Sequence, residues 1–259
     1  MTFIYPYKPG LRSVRNLRQY PGIKAIKRTN SKYRPRPSNV IVNWGSRSMP
    51  DEYRLRSWVV LNRPECVGRA SNKLSFFQDM QEDGVNTVPW TEDIRTAIAW
   101  RDEGHRVMAR TNLRGHSGDG IVVVHPVEPE ASPRLIPPAP LYTRYVKSRQ
   151  EWRVHVFCDD VLFTQRKVRN LDVPPDEANW WVRSHHNGFV FQRNNETEPD
   201  GLHDIAVETL QACGLDFGAV DILWNEREDR LYVLEVNTAP NLEVSSVEAY
   251  AVKLQELSG

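Results

Sequence analysis

At 259 residues the chain is long enough to bury a sizeable core in one or two domains, or in one multi-lobed unit. Its 40% hydrophobic and 26% charged residues are ordinary for a globular protein, and no apolar run approaches the roughly 18 residues with which a helix crosses a bilayer. The net charge of +1 conceals a split: thirteen lysines and arginines precede residue 61 against only Asp51 and Glu52, a local +11 that leaves −10 for the remainder.

A segment so basic is expected to face an acidic partner (a phosphate, nucleic acid or an acidic peptide), the acidic remainder of the same chain, or solvent alone. Met1–Gly10 lacks the regions of a secretory signal. Cys66, Cys158 and Cys213 are too far apart for a disulfide framework or a zinc site, so a reducing cytoplasm is expected.

In chain order, Phe3–Tyr7 reads as a short strand, and Leu11, Val14 and Leu17 recur at helical spacing until Pro21-Gly22. Short strands at Ile23–Ile26 and Val40–Trp44 complete a small β-α-β-like unit. The turn Asn43-Trp44-Gly45-Ser46 then lies where open α/β sheets place ligands, so it is either a substrate wall or an ordinary turn. Leu74, Phe77 and Met80 predict a helix ending near Gly84, followed by a strand at Thr87–Trp90. Thr91 is the expected N-cap of a helix that runs to Gly104, with Glu92 and Asp93 in its first turn. Strands at Arg106–Arg110 and Ile121–Val124 enclose Gly115-His116-Ser117-Gly118-Asp119-Gly120. Prolines 126, 129, 133, 137, 138 and 140 mark a connector between lobes. Tyr142–Val146 is extended, and Trp152–Phe157 with Val161–Val168 forms a long hairpin. An amphipathic helix around Leu202–Cys213, strands at Phe217–Trp224 and Arg230–Val236, and a helix from Val244 to Leu257 complete the chain. Helices alternating with long hairpins predict an α+β (α/β) protein with mixed sheets.

The strongest chemistry lies in the last hairpin. Glu235 and Asn237 are two residues apart and share a face of their strand. Pairing about the turn Asn225–Arg230 brings Asp221 opposite Glu235 to within a residue, so three oxygen-bearing side chains converge. Two carboxylates that close repel unless a cation lies between them, and such a set suits Mg²⁺, which keeps water and phosphate as its other ligands. Spacing alone leaves a solvated acidic face as an equal alternative.

Asp221-Ile-Leu followed by Leu-Glu235-Val-Asn237-Thr-Ala-Pro240-Asn-Leu-Glu243 resembles the metal-binding end of the ATP-grasp superfamily. Within it, the chain looks most like the branch holding the enzyme that adds glutamates to a ribosomal protein, with D-alanine–D-alanine ligase more distant. The resemblance covers Ser71 to the C-terminus. It implies two α+β lobes clamping ATP, here 61–141 and 142–259, preceded by a small basic α/β unit at 1–60. It further implies two Mg²⁺ ions (Mn²⁺ as an alternative) on Asp221, Glu235 and Asn237.

Other segments match the family in order. Ser71-Asn72-Lys73-Leu74 resembles the helix start whose lysine reaches the phosphates. Gly115, His116, Ser117, Gly118 and Gly120 resemble the loop that closes over them, where glycines let backbone N–H groups approach an anion. Arg110 stands where the family usually has lysine, replacing a point charge by a fork. Tyr145 and Val146 lie in the strand implied to meet adenine, with Arg144 where a glutamate is usual. In Glu151-Trp152-Arg153-Val154 the resemblance assigns Glu151 to the ribose and adds Arg153 to the site. Either Arg166 or Lys167 points inward from the hairpin's return strand, and Arg183 is implied to stabilise the transferring phosphoryl group. His185 and His186, adjacent on an expected strand, point opposite ways and are read as surface or substrate-lobe residues.

The implied activity is an ADP-forming carboxylate–amine ligase: ATP phosphorylates a carboxylate, and an amine displaces phosphate to form an amide. The expected partners are a small-molecule or peptide carboxylate and an amine, with an acidic or nucleic-acid partner conceivable at the basic segment. Solitary proteins of this kind are often phage-encoded, which would place this one in a host cytoplasm. Two rivals stand: a kinase on the same fold, and a nucleic-acid binder using the basic segment with its interleaved aromatics Tyr5, Tyr7, Tyr20, Tyr33 and Trp44.

Overall fold

A computed structural model of the chain describes residues 1–57, 59–115, 118–126, 135–148, 150–193 and 197–257, with Val244 and Ser245 as backbone only. Pro129 and Pro133 of the connector, and His116 and Ser117 of the glycine loop, lie outside the described residues.

The first unit contains β1 (Thr2–Pro6), α1 (Arg12–Leu17), β2 (Ile23–Ala25), β3 (Val40–Trp44), α2 (Asp51–Arg56) and β4 (Val59–Leu61). Its sheet is parallel throughout, in the order β2-β1-β3-β4. α2 and β4 carry no clear period in the sequence and were not expected. Next come α3 (Pro64–Ala70) and α4 (Lys73–Glu82). Asn72 caps α4, its Oδ1 accepting from the backbone N–H groups of Leu74 and Ser75 at 3.0 and 3.3 Å. β5 (Trp90–Thr91), α5 (Ile94–Asp102), β6 (Val107–Arg110), β7 (Ile121–Val124) and β8 (Leu141–Arg144) follow, with the antiparallel order β5-β8-β6-β7. The cap of α5 corrects the expectation at Thr91. Thr91 is a strand residue, and Asp93 is the N-cap, accepting from Arg95 N–H at 2.9 Å. A carboxylate one residue before the helix satisfies an orphan donor better than a hydroxyl three residues away.

The largest sheet combines β9 (Gln150–Phe157), β10 (Asp160–Arg169), β11 (Phe189–Gln192), β12 (Phe217–Asn225) and β13 (Arg230–Asn237) in the order β11-β10-β9-β12-β13, antiparallel throughout. One face is covered by α6 (Leu202–Ala212), whose Leu202, Ala206 and Leu210 join a core with Phe77, Trp152, Val220 and Val233. α7 (Val244–Glu256) ends the chain and packs beside α1. Its Val247, Tyr250, Ala251 and Leu254 share a core with Ile4, Leu17 and Trp44 of the first unit and with Phe157 and Phe217 of the large sheet.

Asn62 ties the first sheet to the third. Its Nδ2 donates to Phe217 O at 2.8 Å, and its Oδ1 accepts from Asp216 and Phe217 N–H at 2.8 and 3.1 Å. Of the thirteen basic residues before residue 61, only Arg54 approaches a carboxylate within ion-pair distance among the described residues. Among the described residues, direct pairing with the acidic remainder of the chain is confined to Arg54 with Glu65 at 3.9 Å.

His155 gives the fold a pH limit. Its ring is almost fully buried, with Nδ1 3.0 Å from the Tyr250 hydroxyl, Nε2 3.1 Å from Gln165 Oε1 and the Phe163 ring stacked at 4.2 Å. Burial, with Arg153 and Arg193 nearby, pushes its pKa down from 6.5 to about 3. The folded value lies below the unfolded one, so the unfolded chain takes up the proton first. The stabilisation is intact above about pH 6.5 and is lost as pH falls towards 3. Between pH 7 and pH 5 this residue is expected to cost about 2 kcal/mol of stability. Urea unfolding of wild type and His155→Gln checks it: the difference between the two should shrink by that amount at the lower pH, and parallel profiles would exclude His155 as the cause.

Candidate active site

Three neighbouring strands present one row of charges. Asp221 on β12 pairs in register with Arg153 on β9 and with Glu235 on β13. A β-bulge follows immediately, since Ile222 pairs with Val233 and Leu234 is the extra residue. That residue accounts for the one-residue tolerance in the pairing expected from the turn.

Arg153 grips Asp221 with both ends of its fork, Nε to Oδ1 at 2.6 Å and Nη2 to Oδ2 at 2.8 Å. Lys73 Nζ, from the first residue of α4, donates to Glu235 Oε2. A second group adjoins the row. Lys167 donates to Glu151 Oε1 and to Arg183 O, the latter at 2.9 Å, and Arg183 Nε lies 3.8 Å from Glu151 Oε2. Lys167 is thus the return-strand cation that faces the cluster. Phe191 floors both groups, its ring centroid 3.9 Å from the Arg153 guanidinium and 4.7 Å from Lys167 Nζ. Phe191 and all of β11 escaped the sequence reading; the short apolar run Phe189–Phe191 after Gly188 was the available signal.

The electrostatics are uneven. Lys73 holds the Glu235 carboxyl well below the usual carboxylate range, whereas burial pushes Asp221 up and Arg153 only partly counters it. Burial likewise pushes Arg110 down, with the Glu235 carboxylate opposing; a guanidinium still keeps its charge at neutral pH. Five cations (Lys73, Arg110, Arg153, Lys167, Arg183) thus gather around three carboxylates (Glu151, Asp221, Glu235), a +2 excess suited to a polyanion.

No protein-family model matches the chain, and no curated protein matches it. Solved structures do. The chain is similar to a D-alanine–D-alanine ligase from Bacillus anthracis at TM-score 0.63 and 11% identity, covering 100% of this chain and 96% of the other. It is similar to the ATP-grasp ligase PsnB complexed with a minimal precursor at TM-score 0.64 and 16% identity, covering 99% and 98%. A RimK domain protein of ATP-grasp type from Sphaerobacter thermophilus matches at TM-score 0.60 and 14% identity, covering 99% and 97%. The chain has the ATP-grasp fold.

Within this ATP-grasp fold, the glycine loop joins β6 to β7. Gly118 (φ +87°) and Gly120 (φ +73°) have left-handed backbones, and a Cβ on Gly118 would lie 2.4 Å from Val182 Cγ1, so the loop reaches the segment bearing Arg183. Gly115 packs against the Asp119 backbone, and Lys73 N–H donates to Leu113 O at 2.9 Å, joining the loop's stem to the start of α4. Tyr145 and Val146 follow β8. The Tyr145 N–H donates to Arg106 O at 2.8 Å, and Val146 is buried in the core. His185 and His186 occupy an exposed 3₁₀ turn rather than the expected strand, because Gly188 reverses the chain at φ +85°.

The residues fit the implied metal by donor chemistry. Asp221 and Glu235 supply oxygens from directly paired positions, and Asn237, two residues after Glu235 on β13, adds an amide whose buried Nδ2 has no partner among the described residues. Two carboxylates and an amide are few for an all-protein cage, and no cluster of three or more His, Cys, Asp or Glu is arranged for one among the described residues. A Mg²⁺ ion that takes its remaining ligands from phosphate and water suits this set.

Proposed function

We propose that the protein is an ATP-dependent carboxylate–amine ligase that forms an amide through an acyl-phosphate and releases ADP and phosphate. The observation that carries the reading is the row Arg153–Asp221–Glu235 with Lys73 and Arg110 around it, inside an ATP-grasp fold. Mg²⁺ on Asp221, Glu235 and Asn237 would neutralise the phosphates and align them for in-line transfer.

The chain's own residues do the rest. Lys73 and Arg110 hold the phosphates, and Gly115, Gly118 and Gly120, with His116 and Ser117 between them, allow backbone N–H groups to close over the anion. Arg183, Lys167 and Arg153 fix positive charge where it develops negatively on the acyl-phosphate. Glu151 meets the ribose and holds Lys167 and Arg183 in place, while Tyr145 and Val146 border the base. An amine placed at the acyl carbon then expels phosphate, so positioning replaces a protein nucleophile. The basic unit, central lobe and C-terminal lobe of this proposal take the first sheet, the β5–β8 sheet and the β9–β13 sheet as their frames. A peptide acceptor or donor is supported by the precursor peptide with which PsnB, a protein of similar structure, is complexed.

Thermal unfolding with ATP, with and without Mg²⁺, tests the reading. The wild type is expected to gain stability only with both, and Glu235→Ala to lose that gain. Absence of any ATP effect in folded wild type would sink it. If the gain is present, ADP release that needs both carboxylate and amine supports ligation, whereas a phosphorylated product accumulating without amine identifies a kinase.

A further inference from the structure

The strand order β2-β1-β3-β4 in an all-parallel sheet reverses its winding between β1 and β3. In such sheets the crevice beyond the carboxyl ends of the strands at that point is where ligands bind. Here Tyr7 follows β1 and Gly45–Ser48 follows β3, and between them opens a cleft of about 550 Å³ that also reaches Arg28, Glu65 and Arg114. That volume is within the roughly 300–1,000 Å³ of small-molecule sites.

The cleft is built rather than incidental. Asn43, fully buried, locks the turn: Nδ2 donates to Ser46 O and Asn62 O, both at 2.7 Å, and Oδ1 accepts from Ser46 N–H at 3.0 Å. Ser46 Oγ in turn accepts from Arg28 Nη1 at 2.6 Å, while the Arg28 guanidinium lies 5.0 Å from the Tyr5 ring centroid. Arg47 stands exposed on the same turn. Arg114 arrives from the stem of the glycine loop, its Nη1 3.3 Å from Gly68 O and 3.4 Å from Ser71 Oγ. Three guanidiniums therefore border the cleft against one carboxylate, Glu65, which itself lies 3.9 Å from Arg54. The cleft also abuts the clamp. Gly45 (φ +78°) is so close to the segment after Asn237 that a Cβ on it would lie 2.6 Å from Ala239 Cβ.

We propose that this cleft binds a compact anionic group, phosphate or carboxylate, on the molecule the clamp acts upon, with Arg28 and Arg47 as its main contacts and Arg114 closing from the loop side. Guanidinium forks match the geometry of both anions. The inference rests on the ligase reading only for the molecule to which the anion belongs.

Calorimetric titration of the full-length protein with inorganic phosphate, and separately with glutarate, tests it in wild type, Arg47→Gln, Arg28→Gln/Arg47→Gln and Lys73→Ala. Mg-ATP is titrated into the same proteins. The double variant is expected to bind the preferred anion at least tenfold more weakly with Mg-ATP affinity unchanged within about twofold, and Lys73→Ala to show the converse. Arg47→Gln, at an exposed turn position, guards against misfolding and should show part of the loss. Preference for phosphate or for glutarate assigns the group. Anion affinity that is absent in wild type, indifferent to Arg47, or abolished by Lys73→Ala overturns the proposal. Anion binding that depends on Arg28 and Arg47 in a wild type without affinity for Mg-ATP would uphold the cleft and sink the ligase reading.

Discussion

Glu235→Gln is expected to lower ATP-dependent turnover about 10³-fold, equivalent to about 4 kcal/mol of transition-state stabilisation, while changing folding stability by no more than about 1 kcal/mol. Glutamine keeps the shape but loses the charge that faces Lys73 and the proposed metal. The stability effect is small because the Glu235 side chain is 37% exposed, so solvent screens its pair with Lys73 even though Lys73 itself is only 12% exposed. Steady-state ADP release and urea unfolding on the same protein check both halves. A variant that turns over within tenfold of wild type would remove Glu235 from the proposed site, and a large loss of stability would make it a structural residue instead.

Arg153→Ala should behave in the opposite sense, destabilising the fold by about 3 kcal/mol or more. Its partner Asp221 is 5% exposed, and Arg153 occupies both carboxylate oxygens. Truncation strands a buried charge whose pKa burial already pushes up. Adding Asp221→Asn removes that charge, so the double variant is expected to recover about 2 kcal/mol of the loss, a coupling read from the full cycle of unfolding measurements. A cost below about 1 kcal/mol, or additive effects, would mean that water reaches Asp221 and the pair contributes little. The two predictions separate neighbouring positions of one row: the partly exposed end is expected to serve chemistry, and the buried end to hold the strands in register as well.

Much of the secondary structure was legible because period and punctuation are local. The alternation in β9 and β10, the apolar runs of β12 and β13 broken at a few polar positions, and the 3.6-residue period of α6 are properties of short stretches. Asp221, Glu235 and Asn237 could be placed on one hairpin face for the same reason, since a six-residue turn leaves few registers open. What escaped was short or aperiodic: α2, β4, α3 and β11 hold six, three, seven and four residues, too few for a pattern to emerge. Thr91 was given the capping role of Asp93 because the two sites compete within one turn and the sequence holds no measure of which carbonyl starts the helix.

By itself, then, the sequence determined the kinds of element, the acidic hairpin and the concentration of positive charge before residue 61. Which cation answers which carboxylate was decided only by tertiary structure. Lys73 and Glu235 are 162 residues apart, and Arg153 and Asp221 are 68 apart. Such pairs form because distant strands and helices bury their apolar faces together, and local preferences carry no information about that choice. The same holds for α7 closing the core of the first unit, for Asn62 stitching two sheets, and for three arginines from separate loops meeting over one cleft.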